Sequence, residues 1–434
     1  MKESGGRYLM AFEKIGIRPA EILLPAENVS RETWACVACD QYTSEPEYWE
    51  RADQLVGSAP SALRLILPEC WLNESSIRIP EIHAAMRRYL AEKRLVPEVQ
   101  HGFVLCERKI KTGTRLGLVC TVDLEAYSFL QEEEPLIRPT EQTITSRLPP
   151  RLVIRRGAPL ELTHIMILID DPDFTVLKPL QDRRDTLRKL YDFDLMGQGG
   201  HLAGWAVEKA EDLAAVDSAM NALLDQKTRE AGSHKPMLLA VGDGNHSLAT
   251  AKAYWEEIRN TLTPEERKTH PARFALCEIV NLHDEALVFE PIHRLLTGTD
   301  QATLMGEWQN YAESRGMKLI RSKKDQGHSF TVYSAIGEEE VTVEQPEGAI
   351  PCETAQRFLD DFLSRHPETE IDFIHGSDSL KKLSRRQENV GLLMPPIDKH
   401  TFFEDVIRLG VLPRKTFSMG EANEKRFYME AKRI

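Results

Sequence analysis

Pro236-Met-Leu-Leu-Ala-Val241 runs without interruption into Gly242-Asp-Gly-Asn-His246, and the next thirteen positions, Ser247 to Arg259, carry Leu248, Ala251 and Trp255 at spacings of three and four. The apolar run reads as a buried strand and the spaced apolar set as one face of a helix, so the segment is strand, tight turn and helix in succession. Two glycines flanking Asp243 let the backbone turn sharply and approach a ligand with no Cβ in the way. The helix that follows presents unbonded N–H groups and the positive end of its dipole at the same spot, where a phosphate is stabilised. Asp243 is therefore a candidate for holding Mg²⁺ or orienting a hydroxyl. His246, which titrates near neutrality, is a candidate for contacting phosphate or moving a proton. Gly242, Gly244, Asn245 and Ser247 complete the candidate phosphate cradle. The plain alternative is an Asx turn with Asn245 capping the helix.

The same alternation of strand and helix extends outward. Upstream, the apolar run His164-Ile-Met-Ile-Leu-Ile-Asp170 reads as a buried strand ended by Asp170-Asp-Pro172, because proline lacks the ladder donor. Gly197-Gln-Gly-Gly-His201 is expected to turn a hairpin into Trp205-Ala-Val207. Its Gly-x-Gly-Gly pattern lacks the strand-to-helix context of a dinucleotide loop. A helix of about fifteen residues is expected from Asp212. Nearer the start, Ser61–Leu67 and Gly102–Cys106 read as strands and Ile79–Arg94 as a helix. Thr112-Gly113 is expected to turn a hairpin between Phe103–Glu107 and Arg115–Thr121. Beyond about residue 300, strand and helix signals alternate again and give way to a charged, weakly periodic tail. The expected architecture is thus mixed α/β in three regions: 1–135, a nucleotide-binding core at 136–300, and 301–434.

Composition narrows the function classes. The chain has 434 residues, enough for more than one core, and 68 acidic against 55 basic side chains give a formal charge of -13. Nucleic-acid binders draw affinity from Lys and Arg neutralising phosphates, so the balance argues against that class. No run of eighteen apolar residues suggests a membrane span, and the start Met1-Lys-Glu-Ser-Gly-Gly lacks a secretory apolar stretch; a cytoplasmic location is expected. Seven scattered cysteines do not form a secreted disulfide framework. Cys36-Val-Ala-Cys39 has redox or half-zinc spacing, but no second pair completes a four-ligand site, and Trp34-Ala-Cys-Val-Ala-Cys39 reads as a buried strand. No Walker A, protein-kinase or Gly-x-Ser-x-Gly signature is present.

Val241-Gly-Asp-Gly-Asn-His-Ser-Leu-Ala-Thr-Ala251 resembles the Asp-Gly-His-His-Arg segment of the domain-of-unknown-function 1015 family, which is related to the ParB/sulfiredoxin-like fold and to free serine kinases. Asp243, Gly244 and His246 match; Asn245 stands for the first His and Ser247 for the Arg. Serine cannot replace the fixed two-pronged charge of arginine. Arg138-Pro-Thr-Glu-Gln-Thr143, trailed by Arg147 and Arg151, resembles the family's His-Glu-x-Thr segment, with Thr140 in place of His. Leu168–Pro172, Glu290-Pro-Ile-His-Arg294, Gly391–Met394 and Leu412-Pro-Arg-Lys-Thr416 follow in the family's order.

The resemblance implies a ParB-like core at 136–300 flanked by two mixed α/β regions. By analogy with the serine kinases it implies Glu141 as the base that deprotonates a substrate hydroxyl, with Asp243 and His246 at the phosphate end. Arg147 and Arg151 are candidates for the charge missing at Ser247, although each also fits an ordinary surface charge. Asp40-Gln-Tyr-Thr-Ser44 occupies the position where the family leaves a strand near its pocket, making Asp40 and Tyr42 candidate substrate contacts. His293 and Arg294 are candidates for the pocket rim. The expected activity is phosphoryl transfer from ATP or ADP, with Mg²⁺, to a small hydroxyl-bearing metabolite such as free serine. The rival expectation is a regulatory or adaptor protein that binds a nucleotide without chemistry, favoured by the altered His and Arg positions. Sequence leaves the donor, the acceptor and the oligomeric state open.

Overall fold

A computed structural model describes residues 12–130 and 133–434. The chain separates into two compact units, one made of 1–288 together with 420–434 and the other of 289–419. This differs from the three expected regions. The hairpin of Leu95–Ile110 and Gly113–Asp123 pairs along the second strand with Phe274–Asn281, and along the first with His201–Val207. The first two regions therefore share one sheet, with core residues of both in the clusters on its two faces, and no boundary between the two units falls near 135.

Among the described residues, the main path of the large sheet runs Ile137–Pro139, Leu239–Asp243, Ile165–Ile169, Phe274–Asn281, Gly113–Asp123, Leu95–Ile110, Ala20–Pro25, Ala431–Arg433 and Leu160–Leu162. Leu239–Asp243 lies parallel to Ile137–Pro139 and antiparallel to Ile165–Ile169, which in turn runs parallel to Phe274–Asn281. Every residue of Ile165–Ile169 and of Phe274–Asn281 is buried, as expected for strands covered on both faces. Helix Ala210–Glu230 buries Leu213, Val216, Met220 and Leu223, and helix Asn245–Arg259 buries Leu248, Ala251 and Trp255. Each large apolar side chain removed from water in this way contributes about 1.5–3 kcal/mol.

The expected hairpin forms, but its two-residue loop is Lys111-Thr112, with Gly113 already paired opposite Ile110, and the hairpin of Arg188–Asp194 with His201–Val207 forms around Gly197–Gly200. Ser61–Leu67 departs from expectation. Instead of a strand it holds a 3-10 turn at Ala62–Leu65, because the Ser61 hydroxyl accepts the Leu63 amide at 3.2 Å and offers the backbone a local partner. Five of the seven cysteines are buried, and Cys36–Val37 forms a short strand against Phe427–Tyr428. No helix among the described residues is long and apolar enough to cross a membrane.

Residues 420–434 are knitted into the first unit. Ala38 donates its amide to the Arg426 carbonyl at 2.8 Å, and the Trp34 indole donates to the Met429 carbonyl at 3.2 Å. The Arg426 guanidinium lies 3.1 Å from Glu278 and also pairs with Glu430; all three side chains are 3% exposed or less. The second unit carries its own sheet, in the order Lys318–Ile320, Gly337–Glu344, His328–Ser334, Asn389–Leu393, Phe289–Thr297 and Glu370–His375.

Candidate functional site

Strand Leu239–Asp243 keeps register with Ile165–Ile169 as far as Val241, opposite Ile167, then slips so that Asp243 faces Met166. The extra residue, Gly242, is a bulge that re-aims the strand end. Gly244 follows with φ +78°, in the left-handed region, and the fifteen-residue helix begins at Asn245. A Cβ at Gly244 would lie 3.0 Å from His164 Cδ2 and 3.1 Å from Ile165 Cα, so both the backbone angle and the packing exclude a side chain. Residues 242–247 are partly exposed, whereas Leu238–Val241 on one side and Leu248–Ala251 on the other are buried. The first turn of the helix therefore meets solvent directly at the end of a buried strand.

Asp243 uses one carboxylate oxygen to accept the Gly244 amide at 3.0 Å, and the other lies 3.5 Å from the Lys425 ammonium. The Thr140 hydroxyl, fully buried, donates to the Val241 carbonyl at 2.6 Å, and the Ile144 amide donates to His246 Nε2 at 3.4 Å. These two bonds lay segment 140–144 along the turn and set partly exposed Glu141 in the same corner. Asn245 reaches back toward the Val241 carbonyl at 3.5 Å through its amide nitrogen, while its Oδ1 is buried without a partner among the described residues.

A second group closes on the turn from the other side. His164 Nδ1 meets the Tyr428 hydroxyl oxygen at 2.6 Å, and its Nε2 lies 3.8 Å from Asp40. The Cys39 amide donates to the same Tyr428 oxygen at 3.1 Å. Burial pushes the His164 pKa down, but the Asp40 carboxylate, followed by Cys39 and last by Asp243, pushes it up and prevails, to about 10. Burial likewise opposes the charge of Asp40, and the facing imidazolium overrides it, holding that carboxyl below the ordinary range.

Of the residues singled out from sequence, Gly242, Asp243, Gly244, Asn245, His246 and Ser247 form the turn, Glu141 sits beside it, and Asp40 reaches it through His164. Tyr42 lies two residues beyond Asp40 and stacks on Tyr48 at 3.8 Å. Arg151 forms an ion pair with Glu69, whose amide donates to the Cys39 carbonyl at 2.8 Å, so its charge is already met by a carboxylate. Arg147 ends the short turn Thr145–Arg147, and its side chain lies outside the described residues.

His293 and Arg294 belong to the second unit and are buried there. His293 Nδ1 accepts the Met394 amide at 3.1 Å, and burial takes its pKa down to about 4. Arg294 donates to the Lys415 carbonyl at 2.9 Å and to Gln356 at 3.2 Å. Both side chains are engaged in that unit's interior rather than standing at a rim. Among the described residues no group of three or more His, Cys, Asp or Glu is arranged to hold a metal ion.

Sequence reasoning missed His164, Lys425 and Tyr428. The signal for the last two was Phe427-Tyr-Met429, an apolar triplet inside what reads as a charged tail, which marks a buried stretch. Nothing local distinguishes His164 from any residue ahead of a strand.

No curated protein matches the sequence. Among solved structures, the chain is similar to a free serine kinase in complex with AMP, at 10% identity and a TM-score of 0.38, covering 72% of this chain and 90% of that one. It is also similar to a conserved hypothetical protein from Pyrococcus furiosus, at 11% identity, TM-score 0.36 and coverage of 73% and 94%. A third similar structure is SbnI with a C-terminal truncation from Staphylococcus aureus, at 9% identity, TM-score 0.35 and coverage of 70% and 83%. Likeness at this level says nothing about activity. Residues 17–362 match the family described as protein of unknown function (DUF1015), and the chain belongs to that family.

Proposed function

We propose that the chain binds a nucleotide at the Gly242–Ser247 turn and transfers a phosphoryl group from it to the hydroxyl of a small metabolite such as free serine. The observation that carries this reading is the solvent-reached first turn of a fifteen-residue helix at the end of a buried strand, with Asp243 beside it and Glu141 in the same corner. Phosphoryl transfer asks chiefly for positioning and for charge compensation, and helix amides supply both without side-chain motion. Glu141 accepts the proton of the attacking hydroxyl; the new O–P bond forms as the bond to the nucleotide's bridging oxygen breaks, and that oxygen leaves with its electron pair. His246, bonded to the Ile144 amide, orients the phosphate end. Mg²⁺ would arrive on the phosphates, where it shields their charge, with Asp243 as its one protein ligand. The donor is ATP or ADP.

The second reading, a nucleotide sensor without turnover, is favoured by Ser247, which brings no charge to the transferring group. Phosphorus NMR of the protein with ATP or ADP, Mg²⁺ and serine separates the two. A new phosphomonoester resonance, lost in Glu141→Gln while nucleotide binding persists, supports the kinase. Binding without product supports the sensor, and no binding of either nucleotide refutes both.

A further inference from the structure

Arg108, on strand Leu95–Ile110, is 2% exposed, and its guanidinium is spent on carbonyl oxygens. Nε donates to Gly199 at 2.8 Å, one Nη to Asn423 at 2.9 Å and the other to Lys425 at 3.4 Å, while the planar face lies 4.6 Å from the centre of the Phe427 ring. Directly opposite on the partner strand, Arg115 donates to the Glu424 carbonyl at 3.3 Å. With the Ala38 amide on the Arg426 carbonyl at 2.8 Å, the successive carbonyls from 423 to 426 are each held by a donor. The same stretch sends Lys425 to Asp243 and Tyr428 to His164. A cavity of about 660 Å³, bordered by Ile110, Leu195, Gly199, Asn423 and Glu424, lies alongside, so close packing does not fix the stretch from that side. Hydrogen bonds set its place instead. Burying a guanidinium costs desolvation, and an apolar side chain of similar volume often serves stability as well. What the planar fork adds is geometry, because it reaches several acceptors at fixed angles.

We infer that Arg108 is a positioning residue of the candidate site: it fixes the backbone at 423–425 against the hairpin turn Gly197–Gly200, and so sets where Lys425 stands against Asp243 and Tyr428 against His164. The inference rests on the phosphotransferase reading, which gives that placement its use. Arg108 acts through main-chain carbonyls, so its influence reaches the site as a displacement of the whole stretch. A shift there moves the Lys425 ammonium and the Tyr428 phenol together, and with them the groups that flank Asp243. Lysine does not substitute, because a point ammonium on a flexible stem meets one carbonyl where the fork spans three.

Arg108→Met and Arg108→Lys in the full chain test this, with Lys227→Met, which removes one partner of Asp170 just past the end of strand Ile165–Ile169, as the control for lost stability. Two quantities are measured: steady-state phosphorylation of serine with Mg-ATP or Mg-ADP, and hydrogen exchange of the Cys39 amide, which the Tyr428 hydroxyl holds at 3.1 Å. In Arg108→Met, kcat is expected to fall about ten- to a hundredfold, as small misplacements of a reacting site do, with KM for the nucleotide little changed. The Cys39 amide should exchange faster while the melting temperature stays close to that of wild type. Arg108→Lys should recover only part of kcat, and Lys227→Met should melt lower with kcat and Cys39 exchange intact. A folded Met variant with wild-type kcat, or with wild-type exchange at Cys39, overturns the inference and leaves the phosphotransferase reading standing; full recovery of kcat by lysine overturns it too. A wild type that forms no phosphomonoester overturns that reading, and unchanged Cys39 exchange in the Met variant then overturns the inference as well, whereas faster exchange upholds the positioning. If the Met variant does not fold, Arg108→Lys carries the same comparison.

Discussion

Replacing Gly244 by alanine tests the geometry on which the candidate site depends, and a second glycine provides the control. Gly232, just past helix Ala210–Glu230, has φ +59° with nothing within 4 Å of a built Cβ, so Gly232→Ala meets only the left-handed backbone penalty. That penalty is about 1–2 kcal/mol, offset by about 0.4–1 kcal/mol from the stiffer unfolded chain, leaving a net loss of about 0.5–1 kcal/mol. Gly244→Ala, at φ +78°, meets the same penalty plus contacts of 3.0 Å to the His164 ring and 3.1 Å to Ile165 Cα. Ile165 Cα belongs to a central buried strand and cannot swing aside, so the crowding adds about 1–3 kcal/mol. The expected difference between the variants is therefore about 1–3 kcal/mol, or about 1.5–5 °C in melting temperature for a unit of this size. Urea titration and calorimetry on both variants give the two numbers directly. Equal stability of the two variants within about 0.5 kcal/mol would show slack between the turn and His164, and would refute the claim that packing as well as φ demands glycine there.

Other consequences are accessible to similar measurements. Arg426→Met leaves Glu278 and Glu430 buried without their common cation and should cost about 3–5 kcal/mol. Burial opposes the charge on Glu278, but Arg426 and Arg115 override it and hold its pKa below the ordinary carboxylate value. Its stabilisation is thus present above the unfolded pKa and is lost as pH falls through the folded one, and because Arg426→Met removes the main cause of that depression, its denaturant curves should show a shallower acid decline than wild type. For His164 the sign is opposite: its pKa is raised to about 10, so its contribution is complete below the unfolded value of about 6.5 and disappears as pH climbs toward 10. His164→Gln should flatten that alkaline decline, and a wild-type imidazole titrating near 6.5 by NMR would contradict the Asp40 pairing.

The turn at 241–247 was legible because both of its signals are local: an apolar run of strand length and a 3.6-residue period separated by two glycines. The hairpins at 110–113 and 197–200 were legible for the same reason. Ser61–Leu67 misled because its apolar content matches a strand, while the deciding bond comes from one serine hydroxyl to an amide two residues on. Pairings between distant segments left no trace. Cys120 opposite Cys277, or Leu239 beside Ile137, depends on partners more than a hundred residues away, and a strand's sequence does not name its neighbour. The same limit hid half of the candidate site: Asp40, His164 and Tyr428 become one group only through the sheet, and Lys425 only because the chain comes back.

That return also sets an order of events during synthesis. Strands and helices up to Val288 emerge first, yet the residues that complete their sheet and face Asp243 are translated only after 289–419. At about 5–20 residues per second, Lys425 follows Val288 by about seven to thirty seconds. Through that interval the nascent first unit has Glu278 without Arg426, and Trp34 without its carbonyl acceptor at Met429. A ribosome stalled between the two stretches would therefore hold an incomplete sheet for chaperones to engage.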